Sequence, residues 1–303
     1  MNPPFLRLSV VIATLDRVRS LEVVLRCLRS QTRPPDELII ASAGDSRPIQ
    51  SMLAAVALPC PVTLLPCAEK SAAGQRNQAA ERATGEILAF LDDDIEFGPE
   101  LFAALLEQFE PDPPGPLPGA ISPRLANQDR PVPGRLTRWY YRIQSGYAHR
   151  DYGGRLFGAG INCFPVFLPD SPPRMPADWL PSTCLFVRAD LFRRHQFPRF
   201  TGYSFAEDVH LTARIAREAP LYFLREPAIL HHSLTSEFKA DRAALTAGKL
   251  HNMAVVAREV QELQGWSLWW HWQLHRLFMV AVLLLRRPTG WTDELRGVAR
   301  ART

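Results

Sequence analysis

The chain has 303 residues, of which 47% are hydrophobic, and a formal net charge of only +4 at pH 7. This length suits one large α/β domain or two coupled halves with a sizeable core, while so small a charge gives no reason to expect nucleic acid as a partner. The five cysteines are scattered without a Cys-x-x-Cys pair, which disfavours a zinc site or a disulfide framework and predicts a reducing, cytoplasmic compartment. Residues 1–9 lack the long apolar core of a signal peptide.

Strands and helices alternate in the first half of the chain. Runs rich in β-branched and apolar residues predict strands at Leu8–Ala13, Glu37–Ala41 and Val62–Leu65. Helix-start residues and apolar positions at helical spacing predict helices after each strand. These helices begin near Ser20, Ser46, Ser71 and Pro99. The alternation implies a doubly wound, mostly parallel sheet flanked by helices.

The second half begins with dense proline. Eight prolines between Pro111 and Pro133 predict a semi-rigid connection over residues 111–135. Residues 138–160 are rich in Tyr, Arg and Gly and predict loops, which either cover a ligand site or form an irregular surface. Further strands are predicted at 182–188, 221–224 and 228–230, helices at 190–195 and 206–217, and a C-terminal helical extension over 236–303.

An apolar run of strand length, residues 85–91, ends in Asp92, Asp93 and Asp94. The run does not alternate, so it predicts a strand buried on both faces. Ligands of open α/β sheets gather beyond the carboxyl ends of such strands. Adjacent carboxylates repel one another, and a divalent cation bound to a diphosphate would turn that repulsion into a ligand set. The alternative is a solvated acidic turn in which an aspartate caps the next element.

If the aspartate triplet belongs to an active site, two later pairs of residues must lie near it in the fold. Glu207 and Asp208 stand at the front of a predicted helix, and His231 and His232 follow a predicted strand. Carboxylates with an imidazole suit Mn²⁺ or Mg²⁺, which would assist a departing diphosphate, and a second carboxylate would take a proton from an incoming hydroxyl. Taken singly, the acidic pair also fits a helix N-terminus and each histidine fits an ordinary, partly buried position.

The ordered motifs resemble those of the family-2 glycosyltransferases, which have the GT-A fold, over about residues 8–235. Residues 8–17 are similar to that family's opening strand and Pro-Thr-Tyr-Asn-Arg loop, with Ala13 where proline is usual. Residues 31–34 and 37–40 fit the segment that leads into the second strand. Gly74–Asn77 resembles the Ala-Arg-Asn-x-Gly element, and Phe90–Asp94 resembles the Asp-x-Asp motif.

The second half continues the resemblance. Glu207-Asp208, followed by Leu211 and Arg214, is similar to the family's Glu-Asp-x-Asp-Leu-x-x-Arg helix, with His210 in place of the second Asp. His231-His232 falls where the family often has a histidine after a strand. The resemblance therefore implies a nucleotide-sugar-binding half at 1–110 and an acceptor and catalytic half at 136–235.

The resemblance also implies roles for single residues. Asp208 would be the base of an inverting transfer, with Glu207 as its alternative. Asp94 and Asp92 would bind Mn²⁺ or Mg²⁺, together with His232 or His231, between which the sequence does not choose. The implied donor-binding residues are Thr14, Asp16, Arg17, Ser42, Arg76, Asp92 and Asp93.

One departure leaves the donor base open. The family usually has Asp in the loop after the second strand, where it holds the base. This chain has Ser42-Ala43-Gly44-Asp45 instead, so either Asp45 is displaced into that role or the base is held differently. UDP, dTDP and GDP donors all remain open.

The C-terminal extension interleaves aromatic and basic side chains between Trp266 and Phe278, and Arg286-Arg287 follow its apolar end. This composition suits a helix in a membrane interface, and the alternative is a helix packed on the enzyme's own core. Its uninterrupted apolar part, residues 277–285, is too short to span a bilayer. A protein of this kind would be cytoplasmic, with peripheral contact at the inner face of the membrane.

The sequence thus predicts a metal-dependent, inverting glycosyltransferase of hexosyltransferase type. It would move one sugar from a nucleotide-sugar to an acceptor sugar or lipid-linked sugar, in surface polysaccharide or glycolipid synthesis. The alternatives are a degenerate domain that binds a nucleotide-sugar without transfer, and a sugar nucleotidylyltransferase. The latter class carries a glycine-rich loop after the first strand, where this chain has Thr14-Leu15-Asp16-Arg17.

Overall fold

A computed structural model describes residues 6–110, 116–149, 152–200, 205–233 and 241–301. The start of the proline-rich stretch, residues 111–115, and the beginning of the predicted C-terminal extension lie outside the described residues. The strands are β1 Leu8–Thr14, β2 Glu37–Ser42, β3 Val62–Pro66, β4 Ile87–Asp92, β5 Ile95–Phe97, β6 Ala120–Leu125, β7 Leu156–Phe157, β8 Ile161–Asn162, β9 Arg174–Ala177, β10 Cys184–Arg188 and β11 Leu221–His231. The helices are α1 Val18–Arg29, α2 Arg47–Ala55, α3 Ala72–Ala80, α4 Leu101–Glu107, α5 Arg135–Ser145, α6 Ala189–His195, α7 Glu207–Ile215, α8 Arg242–Glu259, α9 Gly265–Arg286 and α10 Trp291–Arg300, with a 3₁₀ turn at Ala126–Gln128.

Within the described residues, nine strands form one sheet in the order β3-β2-β1-β4-β10-β6-β11-β5, with β9 paired to β11. The first four strands are parallel, β10 runs antiparallel between β4 and β6, and β11 is parallel to β6. Helices cover both faces of this sheet. The predicted α/β architecture, doubly wound with a helical C-terminal part, is confirmed.

The strands at the centre of the sheet are buried because both of their faces are covered. Side chains of β4 alternate between two cores: Ile87, Ala89 and Leu91 pack with α1 and α4, whereas Leu88 and Phe90 pack with α3 and α6. This two-sided burial explains why the run is continuously apolar. It also leaves the polar residue that follows, Asp92, at the open end of the sheet.

Three segments differ from the sequence-based expectations. The proline-rich stretch, predicted as a connection, contributes β6, whose Ala120 and Ile121 pair with β10 inside the sheet. The stretch predicted as loops contains α5, whose Tyr140 and Gln144 are buried one helical turn apart. The two short strands predicted around residues 221–230 are one strand, β11. In each case tertiary contacts decide the structure, and local composition does not show them.

The C-terminal helices form a third core together with α5. Trp272 and Leu283 of α9 are buried there, and the ring of Phe278 stacks on Tyr140 of α5 at a centroid distance of 3.8 Å. Among the described residues, no helix is both long enough and apolar enough to cross a membrane. The predicted helical extension is therefore present over residues 241–301, with one side of α9 packed on the protein.

Glycines allow the β7–β8 hairpin to pack between this core and the sheet. Gly160 has a φ of +76°, and a Cβ added there would lie 2.3 Å from the carbonyl oxygen of Met253 in α8. Gly146, which ends α5, has a nearly identical φ of +77°, but an added Cβ would meet nothing within 4 Å. The two glycines share a left-handed backbone conformation, and they differ in whether a side chain at that position would collide with a neighbouring helix.

This pair predicts a difference in stability. Gly146→Ala should lower the free energy of unfolding by about 1 kcal/mol, the cost of placing alanine in the left-handed region. Gly160→Ala should cost roughly 1–3 kcal/mol more, because its Cβ also collides with the α8 backbone. Urea unfolding followed by circular dichroism measures both variants. Equal losses would contradict the close packing of the hairpin on α8.

Candidate active site

A cleft of about 710 Å³ opens at the carboxyl ends of β1 and β4. The strand register creates it, because Ala13 of β1 is paired with Asp92 of β4 and both chains turn away beyond that point. The opposite wall comes from the start of α7 and from residues 179–183, which precede β10. The size is in the range of small-ligand sites, and most of its polar groups come from this edge of the sheet.

Three potential metal ligands meet in this cleft. One ligand atom each from Asp92, Asp94 and His231 lie within 4.8 Å of one another. The Nε2 atom of His231 is 3.2 Å from Oδ1 of Asp94 and 3.8 Å from Oδ2 of Asp92. Two carboxylate oxygens and an imidazole nitrogen form a donor set that suits Mn²⁺, and Mg²⁺ with more water.

The fold brings His231 to the aspartates through the pairing of β5 with β11. His231 lies opposite Ile95, directly after the triplet, and the backbone N–H of His232 donates to the carbonyl oxygen of Asp94 at 2.9 Å. The side chain of His232 leaves the cleft, and its Nε2 atom is 3.4 Å from a carboxylate oxygen of Glu96. Of the two histidines between which the sequence could not choose, the structure thus brings His231 to the cluster.

Two amide side chains hold His231, and sequence reasoning missed both. Asn127 exchanges two hydrogen bonds with the backbone of His231, at 2.9 and 3.0 Å. The Nε2 atom of Gln128 lies 2.9 Å from Nδ1 of the His231 ring and 2.8 Å from Oγ of Ser233. Both residues belong to the 3₁₀ turn after β6, inside the stretch predicted as a connection. Nothing local in the sequence marks them, because β11 reaches them only through the sheet.

Asp93 has a different environment from its neighbours. The residue is 4% exposed, and its carboxylate accepts a hydrogen bond from the Thr14 hydroxyl at 2.6 Å and lies 3.1 Å from Nη1 of Arg17. Burial raises the pKa of Asp93 to about 6, against the lowering effects of Thr14 and Arg17. The same Arg17 atom is 3.5 Å from Asp94. These contacts tie the loop after β1 to the aspartate triplet.

Arg76 links the two walls of the cleft. Its guanidinium pairs with Asp92 on one side and lies 3.6 Å from a carboxylate oxygen of Glu207 on the other. It also donates to the Ser182 hydroxyl at 3.1 Å, and its Cζ atom lies 5.4 Å from the centre of the Phe197 ring. The residue is buried in α3, whose small side chains let the helix approach the sheet closely. One buried cation thus contacts both the potential metal site and the acidic start of α7.

Of the acidic pair at the start of α7, Glu207 is buried, whereas Asp208 is partly exposed in the cleft. Asp208 accepts hydrogen bonds from the backbone N–H groups of Val209 at 2.8 Å and Ser182 at 3.4 Å. Burial, together with the neighbouring Asp208 charge, raises the pKa of Glu207 above its usual range. Burial likewise raises the pKa of Asp208, although the two backbone donors oppose this. A partly exposed carboxyl group with a raised pKa fits a general base.

Other predicted site residues lie at the margin of the cleft or outside it. Asp16 lines it, and its Oδ1 atom accepts the backbone N–H of Asp45 at 3.0 Å. Gly44 leaves room for this carboxylate, because an added Cβ would lie 1.9 Å from that oxygen atom and the Asp16 side chain would have to move. Ser42 is buried behind the cleft with no hydrogen-bond partner for its hydroxyl, and the carboxylate of Asp45 pairs with Arg47 at the surface. Neither Ser42 nor the Asp45 carboxylate is among the lining groups.

Comparisons with known proteins give the family and the fold. The family model described as Glycosyl transferase family 2 matches residues 9–164. A comparison with curated proteins gives no match. The mannosyltransferase PcManGT from Pyrobaculum calidifontis, solved in complex with GDP-Man and Mn²⁺, is similar in structure with a TM-score of 0.57 and 14% identity, over 97% of this chain and 84% of that chain. S. aureus TarS 1–349 in complex with UDP-GlcNAc gives a TM-score of 0.52 and 17% identity, over 94% of this chain and 75% of that chain.

The contact between Gln128 and His231 predicts an effect on cation affinity. A cation on Nε2 requires the ring proton on Nδ1, so the partner of Nδ1 must then accept a hydrogen bond, which the Gln128 oxygen can do after rotation of the amide. Gln128→Leu should weaken Mn²⁺ binding about tenfold, whereas Gln128→Glu should retain or strengthen it. Isothermal titration with Mn²⁺ alone measures both affinities.

A matched control separates this effect from a general loss of charge or folding. His232→Ala changes the neighbouring histidine, whose ring lies outside the cluster, and should leave Mn²⁺ affinity unchanged. Equal weakening in His232→Ala and Gln128→Leu would contradict the assignment of His231 as the ligand.

Proposed function

This chain belongs to glycosyl transferase family 2, and we propose that it moves a single sugar from a nucleotide-sugar donor to an acceptor hydroxyl with inversion at the anomeric carbon. One observation carries this proposal. A three-ligand cluster and a separate carboxyl group with a raised pKa, Asp208, line the same cleft, with Arg76 between them. An in-line transfer needs these two functions on either side of the reacting carbon.

Asp92, Asp94 and His231 would hold Mn²⁺ or Mg²⁺. Their two oxygen atoms and one nitrogen atom fit either cation, and the imidazole favours Mn²⁺. PcManGT, similar in fold, was solved with Mn²⁺ and GDP-Man. When bound, the cation would neutralise the negative charge that develops on the departing diphosphate.

The donor would lie along the carboxyl ends of β1 and β4. Thr14 and Asp93 fix the loop that carries Asp16 and Arg17, and these two side chains lie at the entrance where the nucleoside would bind. Asp92 and Arg76 would contact the ribose and diphosphate side of the donor. The similar structures contain GDP-Man in one case and UDP-GlcNAc in another, so the base of this donor stays open.

Asp208 would act as the base in its ionised form. Its carboxylate removes the proton of the acceptor hydroxyl as that oxygen forms a bond to the anomeric carbon. The bond from this carbon to the diphosphate oxygen breaks with its electron pair on the diphosphate. Glu207 has its pKa raised further by burial and contacts Arg76, so it is the alternative base and, in our proposal, chiefly positions that arginine.

The remaining partners follow from the enzyme class and the C-terminal helices. We propose a hexose-type sugar donor and an acceptor sugar, free or lipid-linked, as in the synthesis of surface polysaccharides or glycolipids. We also propose that the protein works on the cytoplasmic side, in peripheral contact with the inner face of a membrane through its C-terminal extension. Transfer activity distinguishes this enzyme from a domain that only binds a nucleotide-sugar.

Asp208→Asn tests the base directly. The amide keeps the shape of the side chain but accepts no proton, so kcat should fall by at least about 100-fold, the usual contribution of a general base. Donor affinity, measured by titration with nucleoside diphosphate and Mn²⁺, should stay close to that of the unmodified protein. Transfer is followed by release of nucleoside diphosphate from a panel of nucleotide-sugars.

Glu207→Gln serves as the matched control, since it removes the adjacent carboxylate and leaves Asp208. We expect a smaller loss of kcat in this variant. Undiminished transfer by Asp208→Asn would overturn the mechanism, and a larger loss in Glu207→Gln would reassign the base to Glu207.

The raised pKa of Asp208 predicts the pH profile. The carboxyl group acts as a base only when ionised, and burial moves its pKa above the ordinary aspartate value of 3.8. The value of kcat/KM should therefore rise with pH through that raised pKa and then level off. Initial rates measured from about pH 5 to about pH 8, with the donor below saturation, record this rise of kcat/KM. A kcat/KM that stays constant across this pH range would contradict the assignment.

A further inference from the structure

Within the part of the chain that the structure describes, the C-terminal helix α9 presents an exposed apolar stripe. Trp266, Trp270, Leu277, Ala281 and Leu284 are exposed and recur at spacings of three, four or seven residues, which places them along one face of the helix. The helix has 22 residues and is therefore about 33 Å long. Trp266 is 73% exposed and Leu277 is 67% exposed. Isolated exposed apolar residues are normal, but a stripe of this length marks an interaction surface.

Helix α5 extends this surface. It packs directly on α9, where the Tyr140 hydroxyl lies 2.6 Å from Nδ1 of His275 and Gln144 donates to the backbone oxygen of His271 at 2.9 Å. Its outer residues Leu136 and Trp139 are 63% and 61% exposed. Two adjacent helices therefore expose large apolar side chains.

The charges of these two helices are all of one sign. Neither α5 nor α9 contains an aspartate or glutamate, and together they carry five arginines. These are Arg135, Arg138, Arg142, Arg276 and Arg286. Tryptophan with arginine, without acidic residues, is the composition that binds an anionic lipid surface, because indole rings lie at headgroup depth and guanidinium groups attract lipid phosphate.

We propose that the outer face of α5 and α9, called here the α5–α9 surface, docks the protein on an anionic lipid bilayer. A second copy of this chain is a poorer occupant, since a two-fold contact would set the same cationic surface against itself. The buried side of α5 is joined to the cleft through the β7–β8 hairpin. The backbone N–H of Ala159 donates to Gln144 of α5 at 3.3 Å, and the β7–β8 hairpin continues to Asn162, which lines the cleft. Docking would thus hold the acceptor side of the cleft near lipid.

The test is flotation of the full chain with vesicles. We expect the protein to float with vesicles of phosphatidylcholine and phosphatidylglycerol, to float weakly with phosphatidylcholine alone, and to be released by high salt. Tryptophan fluorescence should shift to shorter wavelength on binding, because the exposed indoles enter the interface. This readout is independent of sugar transfer, so a failure here and a failure of the proposed enzyme activity are distinguishable.

Two sets of variants locate the surface. Trp266→Ser with Trp270→Ser should abolish flotation, and Arg142→Glu with Arg286→Glu should lower the partition coefficient about fivefold for each charge removed. Leu117→Ser, at an exposed leucine outside these helices, is the control and should float normally. Circular dichroism confirms that each variant is folded.

Three results would overturn the proposal. The first is equal flotation of the Trp266→Ser/Trp270→Ser variant and the unmodified protein. The second is binding that is indifferent to anionic lipid, which would remove the role of the arginines. The third is a vesicle-free protein that is dimeric by light scattering and becomes monomeric in the tryptophan variant, which would assign the surface to a second copy of the chain.

Discussion

Two guanidinium groups contact four of the five carboxylates that surround the cleft, and the shape of the cleft depends on this arrangement. Arg17 contacts Asp93 and Asp94, and Arg76 contacts Asp92 and Glu207. Two cations do not balance Asp92, Asp93, Asp94, Glu207 and Asp208. The pKa values of Asp93, Glu207 and Asp208 are raised chiefly by burial, and the neighbouring carboxylates raise them further. The cleft therefore attracts cations and protons before any ligand is considered.

Sequence reasoning could predict those strands whose local run of apolar residues matches their burial in the folded sheet. β1, β2 and β4 are buried strands whose apolar runs stop where the sheet ends, so their bounds and the acidic edge follow from the sequence. β6 could not be predicted in the same way. Its apolar part is short and stands among prolines, and its place in the sheet comes from pairing with β10 and β11, which lie far along the chain.

The candidate site shows the same division. The acidic residues and the histidine pair are marked by type and order, so they could be named from the sequence. The choice between His231 and His232 depends on the register of β11 with β5, and the support from Asn127 and Gln128 depends on a turn that only the folded sheet brings near. Ser42 shows the converse. It is the last residue of β2, at the expected place, yet its side chain is buried away from the cleft.

His210 explains how the C-terminal helices are connected to the cleft. The motif of the family that this helix resembles has a second aspartate at this position of α7. Here the imidazole is buried and its Nε2 atom lies 3.1 Å from a carboxylate oxygen of Glu259 in α8, so the residue joins the helix that begins with Glu207 and Asp208 to the C-terminal core. Because α8 packs in turn on α9 and α10, the α5–α9 surface and the proposed base belong to one continuously packed body.

The raised pKa values also have a consequence for stability. A carboxyl group whose pKa is higher in the folded than in the unfolded chain stabilises the fold fully at low pH, and that contribution is lost as pH rises. For Asp93 the loss runs from the ordinary value of 3.8 up to about 6, so at neutral pH this residue opposes folding. A divalent cation among Asp92, Asp94 and His231 would act in the opposite direction, because it brings two positive charges to the place where the carboxylates are in excess. The excess of carboxylates that opposes folding is thus the same interaction that would draw a cation into the cleft, and the bound cation would in turn attract the diphosphate of a donor.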